Sequence, residues 1–117
     1  MTSPQPTPSA DADRPSDPAA AALYDALVTT HATIYGYGIV SAHSTPDDNW
    51  LVGQAIARHR EQREALLSML AAQSVEPPLA APGYQLPSVV NDPSAAAALA
   101  LQMENDTAVA WRPHSAR

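Results

Sequence analysis

Three stretches of the chain repeat apolar residues every three or four positions, which is the spacing that lines one face of an α-helix. Proline and polar residues separate these stretches. No apolar run approaches the roughly 20 residues of a membrane-spanning helix. The pattern therefore predicts an all-α fold of three long amphipathic helices, over residues 18–42, 46–73 and 93–111.

Each predicted helix begins at a polar residue that is followed by proline. The three pairs are Asp17-Pro18, Thr45-Pro46 and Asp92-Pro93. The residue before a proline is kept out of the α region, which suits an N-cap, and proline at the first helical position lacks a donor that would have no partner there. Pro113 is expected to end the third helix, because proline disrupts a helix interior.

The inward faces of these helices carry ionisable side chains among the apolar ones. The predicted stripes are Leu23, Leu27, Ile34 and Gly38, then Val52, Ile56, His59, Arg63, Leu66 and Leu70, then Leu99, Met103 and Ala110 with Leu101, Glu104, Ala108 and Trp111 beside them. Thr30 or His31 fills the gap in the first stripe. We therefore expect His31, His59, Arg63 and Glu104 to form a buried polar network.

Residues 74–91 hold four prolines and one glycine between the second and third helices. The segment is too apolar for a flexible linker, so we predict an extended strap packed along the bundle. A β-strand is the weaker alternative, because prolines remove ladder donors.

The ends of the chain differ in composition from its middle. Residues 1–16 are rich in Pro, Ser, Thr and Asp and lack large apolar side chains after Met1, which predicts a disordered tail. The helical domain is expected over residues 17–112, and residues 113–117 are expected to be a disordered end.

The composition excludes several classes of function. The chain is alanine-rich, its six basic residues are all arginine, and its formal net charge is −6, which argues against nucleic-acid binding. The absence of cysteine excludes disulfides and thiolate chemistry. The N-terminus lacks the pattern of a signal peptide, so a cytoplasmic protein is expected, without membrane partners.

Four short motifs resemble those of a known family. They are Tyr35-Gly36-Tyr37-Gly38, His59-Arg60, Glu76-Pro77-Pro78 and Tyr84-Gln85-Leu86-Pro87. With them, the chain from Ala19 to Trp111 resembles an actinobacterial ferritin-like domain family of unknown function. The resemblance implies a ferritin-like helical bundle and no established activity.

The chain departs from that family in two places. Relatives commonly carry Glu-His where this sequence has Thr30-His31, and they continue into a fourth helix after the segment that matches residues 110–112. A bundle without its last helix has one open side, and a large exposed apolar face usually marks an interaction site. The resemblance therefore implies a homo-oligomer or a protein partner on that side.

A standard di-iron site needs Glu-x-x-His motifs on facing helices, and the sequence contains none. His31, His59 and Glu104 remain an alternative set of ligands for iron or zinc. Arg63 lies one turn from His59, and its positive charge opposes a divalent cation. We therefore predict a polar network without a cofactor.

The Tyr-Gly motif has two interpretations. Gly36 and Gly38 allow a neighbouring helix to approach closely while the rings of Tyr35 and Tyr37 pack against the strap, and Gly53 invites the same steric explanation. The alternative is that the tyrosines line a ligand pocket. We favour the packing interpretation.

No serine of the chain lies in a recognisable nucleophile motif, and there is no glycine-rich phosphate loop. The leading hypothesis is therefore a non-enzymatic module that associates with itself or with a protein partner. The alternative is a metal-binding or small-ligand-binding ferritin-like protein with oxidase-type activity.

Overall fold

The computed structural model describes residues 13–115, with side chains as far as residue 111. This part of the chain forms three long α-helices, which are α1 (Pro18–His43), α2 (Asn49–Ala72) and α3 (Pro93–Ser115). A 3-10 turn over Pro46–Asp48 precedes α2, and the same residues contain no strand. The predicted all-α bundle is confirmed.

Two of the three predicted N-caps have the expected geometry. The Asp17 carboxylate accepts the Ala20 N–H at 3.0 Å, and the Asp92 carboxylate accepts the Ala95 N–H at 2.7 Å. Because each acid also lies at the positive end of its helix dipole, its charge is stabilised there.

The second helix starts differently from the prediction. Thr45 was expected to cap a helix that begins at Pro46, but its hydroxyl donates to the Asp48 carboxylate at 3.2 Å. That hydroxyl makes no capping bond to a backbone N–H, and the chain first makes the 3-10 turn. The α-helix therefore begins only at Asn49.

The expected end of the third helix was wrong, because α3 continues past Pro113 to Ser115. A proline this close to a C-terminus removes one backbone hydrogen bond, and its fixed φ is itself helical. One turn can therefore persist around it. The predicted disordered end over residues 113–117 is wrong for residues 113–115, and its last two residues lie outside the described part.

α2 ends in a Schellman motif. The Val75 N–H donates to the Leu70 carbonyl and the Ser74 N–H donates to the Ala71 carbonyl, both at 3.0 Å. Ser74 adopts a φ of 57°, in the left-handed region that glycine normally occupies at this position. The motif turns the chain back toward α1 and places Val75 against the core.

Two apolar clusters show how the helices run. One combines residues near the end of α1 with residues near the starts of α2 and α3: Tyr37, Val40, Val52, Ala55, Ala96, Leu99 and Met103. The other combines the start of α1 with the ends of α2 and α3: Leu23, Tyr24, Ala26, Leu27, Leu66 and Leu70, with Ala110 and Trp111 half-buried beside them. Helices α2 and α3 therefore run parallel to each other, and α1 runs antiparallel to both.

The segment between α2 and α3 returns along the whole bundle as the predicted extended strap. Val75 lies on the second cluster, while Leu86 and Val90 pack on the first. Between them, the Tyr84 ring packs on the Tyr35 ring with centroids 5.3 Å apart. The strap thus covers a side of α1 that α2 and α3 leave open.

The buried face of α1 is broader than a single stripe. Thr30, Thr33 and Gly36 are buried, whereas the predicted core positions Ile34 and Gly38 are half-buried and exposed. Because α1 contacts two helices and the strap, it buries residues on several sides. In the other helices the predicted core positions Ile56, Arg63 and Ala110 are half-buried, and Leu101 and Ala108 are exposed.

The tail predicted to be disordered begins outside the described part of the chain, at residues 1–12. Arg14, just after them, makes a bidentate pair with the Asp25 carboxylate of α1 at 2.8 and 2.9 Å. The last residues of the predicted tail therefore lie against α1. Within residues 13–115, none of the helices has both the length and the apolar character needed to cross a bilayer.

The three helical glycines are not equivalent. A Cβ at Gly36 would collide with the sulfur of Met103, so α3 approaches α1 closely at this point. A Cβ at Gly38 or at Gly53 would meet no other atom within 4 Å. The close-packing explanation therefore holds for Gly36 and is wrong for Gly38 and Gly53.

This difference predicts opposite effects of alanine. We expect Gly38→Ala and Gly53→Ala each to raise the free energy of unfolding by about 0.5–1 kcal/mol, because alanine restricts the unfolded chain and favours the helix. Gly36→Ala should be about 1–2 kcal/mol less stable than Gly38→Ala, because Met103 must move. Urea denaturation of the three variants measures this, and equal stabilities would contradict the close contact.

Candidate functional site

A layer of polar side chains separates the two apolar clusters. Thr33 of α1 and Thr107 of α3 are buried, and their hydroxyls lie 3.2 Å apart. His59 of α2 is only 1% exposed, and it faces Glu104 of α3. Since each of the three helices contributes to this layer, it is the most polar part of the described core.

Glu104 is the centre of this layer. Its Oε2 accepts from the Tyr37 hydroxyl and lies 2.9 Å from Nε2 of His59. Arg58 donates from Nη2 to Oε1 at 3.0 Å and to Oε2 at 3.1 Å. One carboxylate thus joins a side chain of α1 to two side chains of α2.

His59 is held on both ring nitrogens. Because a carboxylate only accepts, the Nε2 that faces Glu104 carries a proton. Nδ1 lies 3.0 Å from the side-chain oxygen of Gln62, one turn further along α2. The imidazole also stacks on the Tyr37 ring, with centroids 5.5 Å apart. These contacts fix the ring in one orientation.

The surroundings of Glu104 favour its charged form. Burial raises the pKa of this carboxyl, but hydrogen bonds from His59 and Tyr37 and the positive charge of Arg58 outweigh burial, so the pKa lies below its usual value. Burial also raises the pKa of the Tyr37 hydroxyl, as does its bond to the carboxylate. The pair therefore consists of a neutral phenol that donates to an ionised carboxylate.

His31 does not join this network. Its Nε2 lies 3.2 Å from the carbonyl oxygen of Pro78 in the strap. Burial lowers the pKa of His31, the bond to Pro78 opposes that effect, and the charge of Arg63 adds to it. Because a carbonyl only accepts, the ring donates here, and His31 fastens the strap to α1.

The network differs in membership from the predicted one. The structure brings His59 and Glu104 together, but Arg63 pairs with its neighbour Glu64 at 3.1 Å instead of with Glu104. Arg58 takes that place. Residues five apart on a helix differ in direction by about 140°, so Arg58 and Arg63 cannot serve the same partner.

Sequence reasoning missed three members of the network, which are Tyr37, Arg58 and Gln62. Tyr37 was placed in a packing motif against the strap, whereas its hydroxyl donates to Glu104 and its ring stacks on His59. The spacing of His59 and Gln62, one helical turn apart, was the available signal for that pair.

The alternative metal set of His31, His59 and Glu104 is not assembled. His59 and Glu104 are adjacent, but His31 faces the strap carbonyl of Pro78. Among residues 13–111, no group of three His, Asp or Glu side chains is arranged to hold a metal ion. Both oxygens of Glu104 accept hydrogen bonds, so few of its lone pairs remain for a metal ion.

The chemistry of this layer therefore suits a structural role. A carboxylate that is bonded by three donors stabilises one rotation of α2 and α3 about α1, because any other rotation would leave Nε2 of the buried His59 without its acceptor. The layer determines which faces of α2 and α3 remain exposed.

Glu104 makes stability depend on pH. A carboxyl whose folded pKa is lowered contributes stability above its unfolded pKa and loses that contribution as pH falls. We expect Glu104→Gln to lower the free energy of unfolding by about 1–2 kcal/mol at neutral pH, because the site is partly exposed. This deficit should shrink between about pH 5 and about pH 3.

Denaturant titrations across that range measure the deficit. Glu61→Gln is the matched control, because Glu61 is exposed on the same bundle, and its curve should run parallel to that of the unmodified protein. A Glu104→Gln deficit that does not change with pH would contradict the ionised carboxylate.

Comparisons with known proteins identify the family. The family model described as "Domain of unknown function (DUF4439)" matches residues 22–115. A conserved hypothetical protein from Mycobacterium tuberculosis, rv2844, whose crystal structure is known, is 56% identical to this chain in sequence. The two structures superpose with a TM-score of 0.77, and the match covers 79% of this chain and 70% of that one. None of the curated proteins matches. The predicted resemblance to an uncharacterised actinobacterial family is confirmed, and the chain belongs to the DUF4439 family of unknown function.

Proposed function

We propose that the protein is a non-enzymatic helical module that pairs with a second copy of itself through the groove between α2 and α3. The observation that supports this proposal is a pair of partly apolar helix faces on either side of the Arg58–Glu104 contact. Each face lies roughly a quarter turn around its helix from the side that packs on α1.

Helical spacing defines the two faces. Arg58 of α2 reaches across to Glu104 of α3, so these two side chains mark the groove between the helices. Residues one or more helical turns from either of them point in nearly the same direction and border the same groove. The positions in line are Leu51, Gln62, Ala65 and Met69 on α2, and Ala97, Leu101, Ala108 and Trp111 on α3. Leu51 is 50% exposed, Met69 is 37% exposed and Leu101 is 65% exposed, so three large apolar side chains are exposed along one groove.

Charge favours a second copy as the occupant. The chain carries a formal net charge of −6, so two copies repel each other over most of their surfaces. The groove is less acidic among the described residues, because Arg58 and Glu104 neutralise each other at 3.0 Å and leave Glu61 as the charged side chain at its edge. Electrostatic repulsion between two equally acidic copies is therefore weakest at this groove.

The size of the groove is also adequate. Two helices of 24 and 23 residues are each about 35 Å long and about 10 Å wide, which gives a face of about 700 Å². Stable interfaces bury about 800 Å² on each partner. A two-fold pairing, in which each copy places its helices along the groove of the other, would cover most of this face.

We also propose that the bundle is of the ferritin-like class. Its support is topological: a long crossover, here the strap, joins two parallel helices, as one long connection does in ferritin-like bundles. In this proposal the partner copy packs beside α2 and α3, on the side of the bundle away from the strap. The cytoplasmic location expected from the sequence stays a prediction.

A single charge in the groove should break the pairing. We expect the unmodified protein to form a dimer at micromolar concentration, and Leu101→Glu to weaken dimerisation by about tenfold or more, because the buried carboxylate would have no partner. Val109→Glu is the matched control, since Val109 is 57% exposed but lies on another face of α3. Sedimentation velocity over a concentration series measures the dimer constant.

Two outcomes would contradict this proposal. One is an unmodified protein that stays monomeric at the highest concentration reached. The other is equal weakening by Leu101→Glu and Val109→Glu, which would point to a general charge effect. Circular dichroism confirms that both variants keep their helices.

We further propose that the module needs no resident metal. The support is chemical: Arg58 and His59 already occupy the oxygens of Glu104, and His31 is bonded to the strap. Protein purified without an affinity tag should contain zinc and iron far below one atom per chain by mass spectrometry. Stoichiometric metal that is lost on Glu104→Gln substitution would refute this prediction.

A further inference from the structure

An open cavity lies on the other side of α3 from the groove, bordered by α1, α3 and the strap. Its volume is about 610 Å³, within the range of roughly 300–1,000 Å³ that is typical of small-molecule sites. The side chains of the two apolar clusters and of the polar layer leave this space unfilled.

The walls of the cavity are mainly apolar. Val28 of α1, Leu86 of the strap, and Leu99 and Met103 of α3 supply the largest of these surfaces. Leu99 and Met103 are buried, and the close contact between Met103 and Gly36 holds the sulfur near α1. These walls would bind an apolar body by removing it from water.

The strap supplies a wall and a polar group. The Tyr84 hydroxyl accepts the Ala81 N–H at 2.9 Å, so its own proton can donate to a ligand. Leu79 also lines the cavity although it is 88% exposed, an exposure that a bound ligand at the mouth would reduce.

Charge restricts the class of ligand. Asp106 of α3 is the only charged side chain among the residues that line the cavity, and it is exposed at the rim. No lining side chain is cationic, so the site offers no counter-charge to a carboxylate or phosphate. An apolar molecule with a protonated amine could pack against the apolar walls and pair with the Asp106 carboxylate at the rim.

We infer that this cavity binds a small hydrophobic amine, with its apolar body against Met103 and Leu86 and its ammonium group beside Asp106. The inference is independent of self-association, because the groove and the cavity lie on different sides of α3. The cavity would be a ligand site separate from the polar layer, whose side chains already have hydrogen-bond partners within the bundle.

Three probes of equal shape test the charge requirement. They are 4-phenylbutylamine, 4-phenylbutanol and 4-phenylbutanoate, titrated into the full chain by calorimetry. We expect the amine to bind about three- to fivefold tighter than the alcohol, as for a charge pair at an exposed rim, and the carboxylate to bind more weakly than both. Equal affinities for the three, or no binding of the amine, would overturn the inference.

Two variants locate the site. Asp106→Asn should remove the preference for the amine over the alcohol, while Asp47→Asn, which removes an equal charge from an exposed turn outside the cavity, should keep it. Ala32→Leu should fill the cavity and weaken all probes, with helical content as the folding control. Loss of the preference in both aspartate variants would show that net charge alone attracts the amine, and would also overturn the inference.

Discussion

The carboxylate of Glu104 is the interaction on which the arrangement of the three helices depends. It accepts from Tyr37 of α1 and from Arg58 of α2, and it faces the buried ring of His59. An apolar core would allow α2 and α3 to rotate by small steps at little cost, whereas a buried imidazole tolerates only the rotation that satisfies it. The exposed groove and the cavity are therefore both consequences of this contact.

The sequence predicted the helices well because local chemistry decides where they begin. Asp17 and Asp92 cap their helices through their own side chains, and proline fixes the next residue, so no distant contact is needed. Thr45 failed as a simple cap because Asp48, three residues on, competes for its hydroxyl. The strap was predictable for a similar reason, since its prolines exclude both helix and strand while its apolar residues need cover.

The site was only half predictable, because its members depend on helix rotation. Periodicity placed His59 and Glu104 inward, but it could not decide between Arg58 and Arg63, which point in directions about 140° apart. The same applies to Gly36 and Gly38, where only the first faces a neighbour. The hydrophobic pattern gives the average direction of a helix face. Which of two nearby residues on that face makes a contact depends on how the neighbouring helices pack against it.

The strap also has a consequence for the order of folding. A short turn joins α1 and α2, so this hairpin closes at little entropic cost, whereas α3 must dock after a connection of about 20 residues has been ordered. We therefore expect the hairpin to form early in the folding reaction, and α3 with its carboxylate to be the last element added and the first to detach. In native-state hydrogen exchange, the amides of α3 would then exchange through partial opening while those of α1 stay protected.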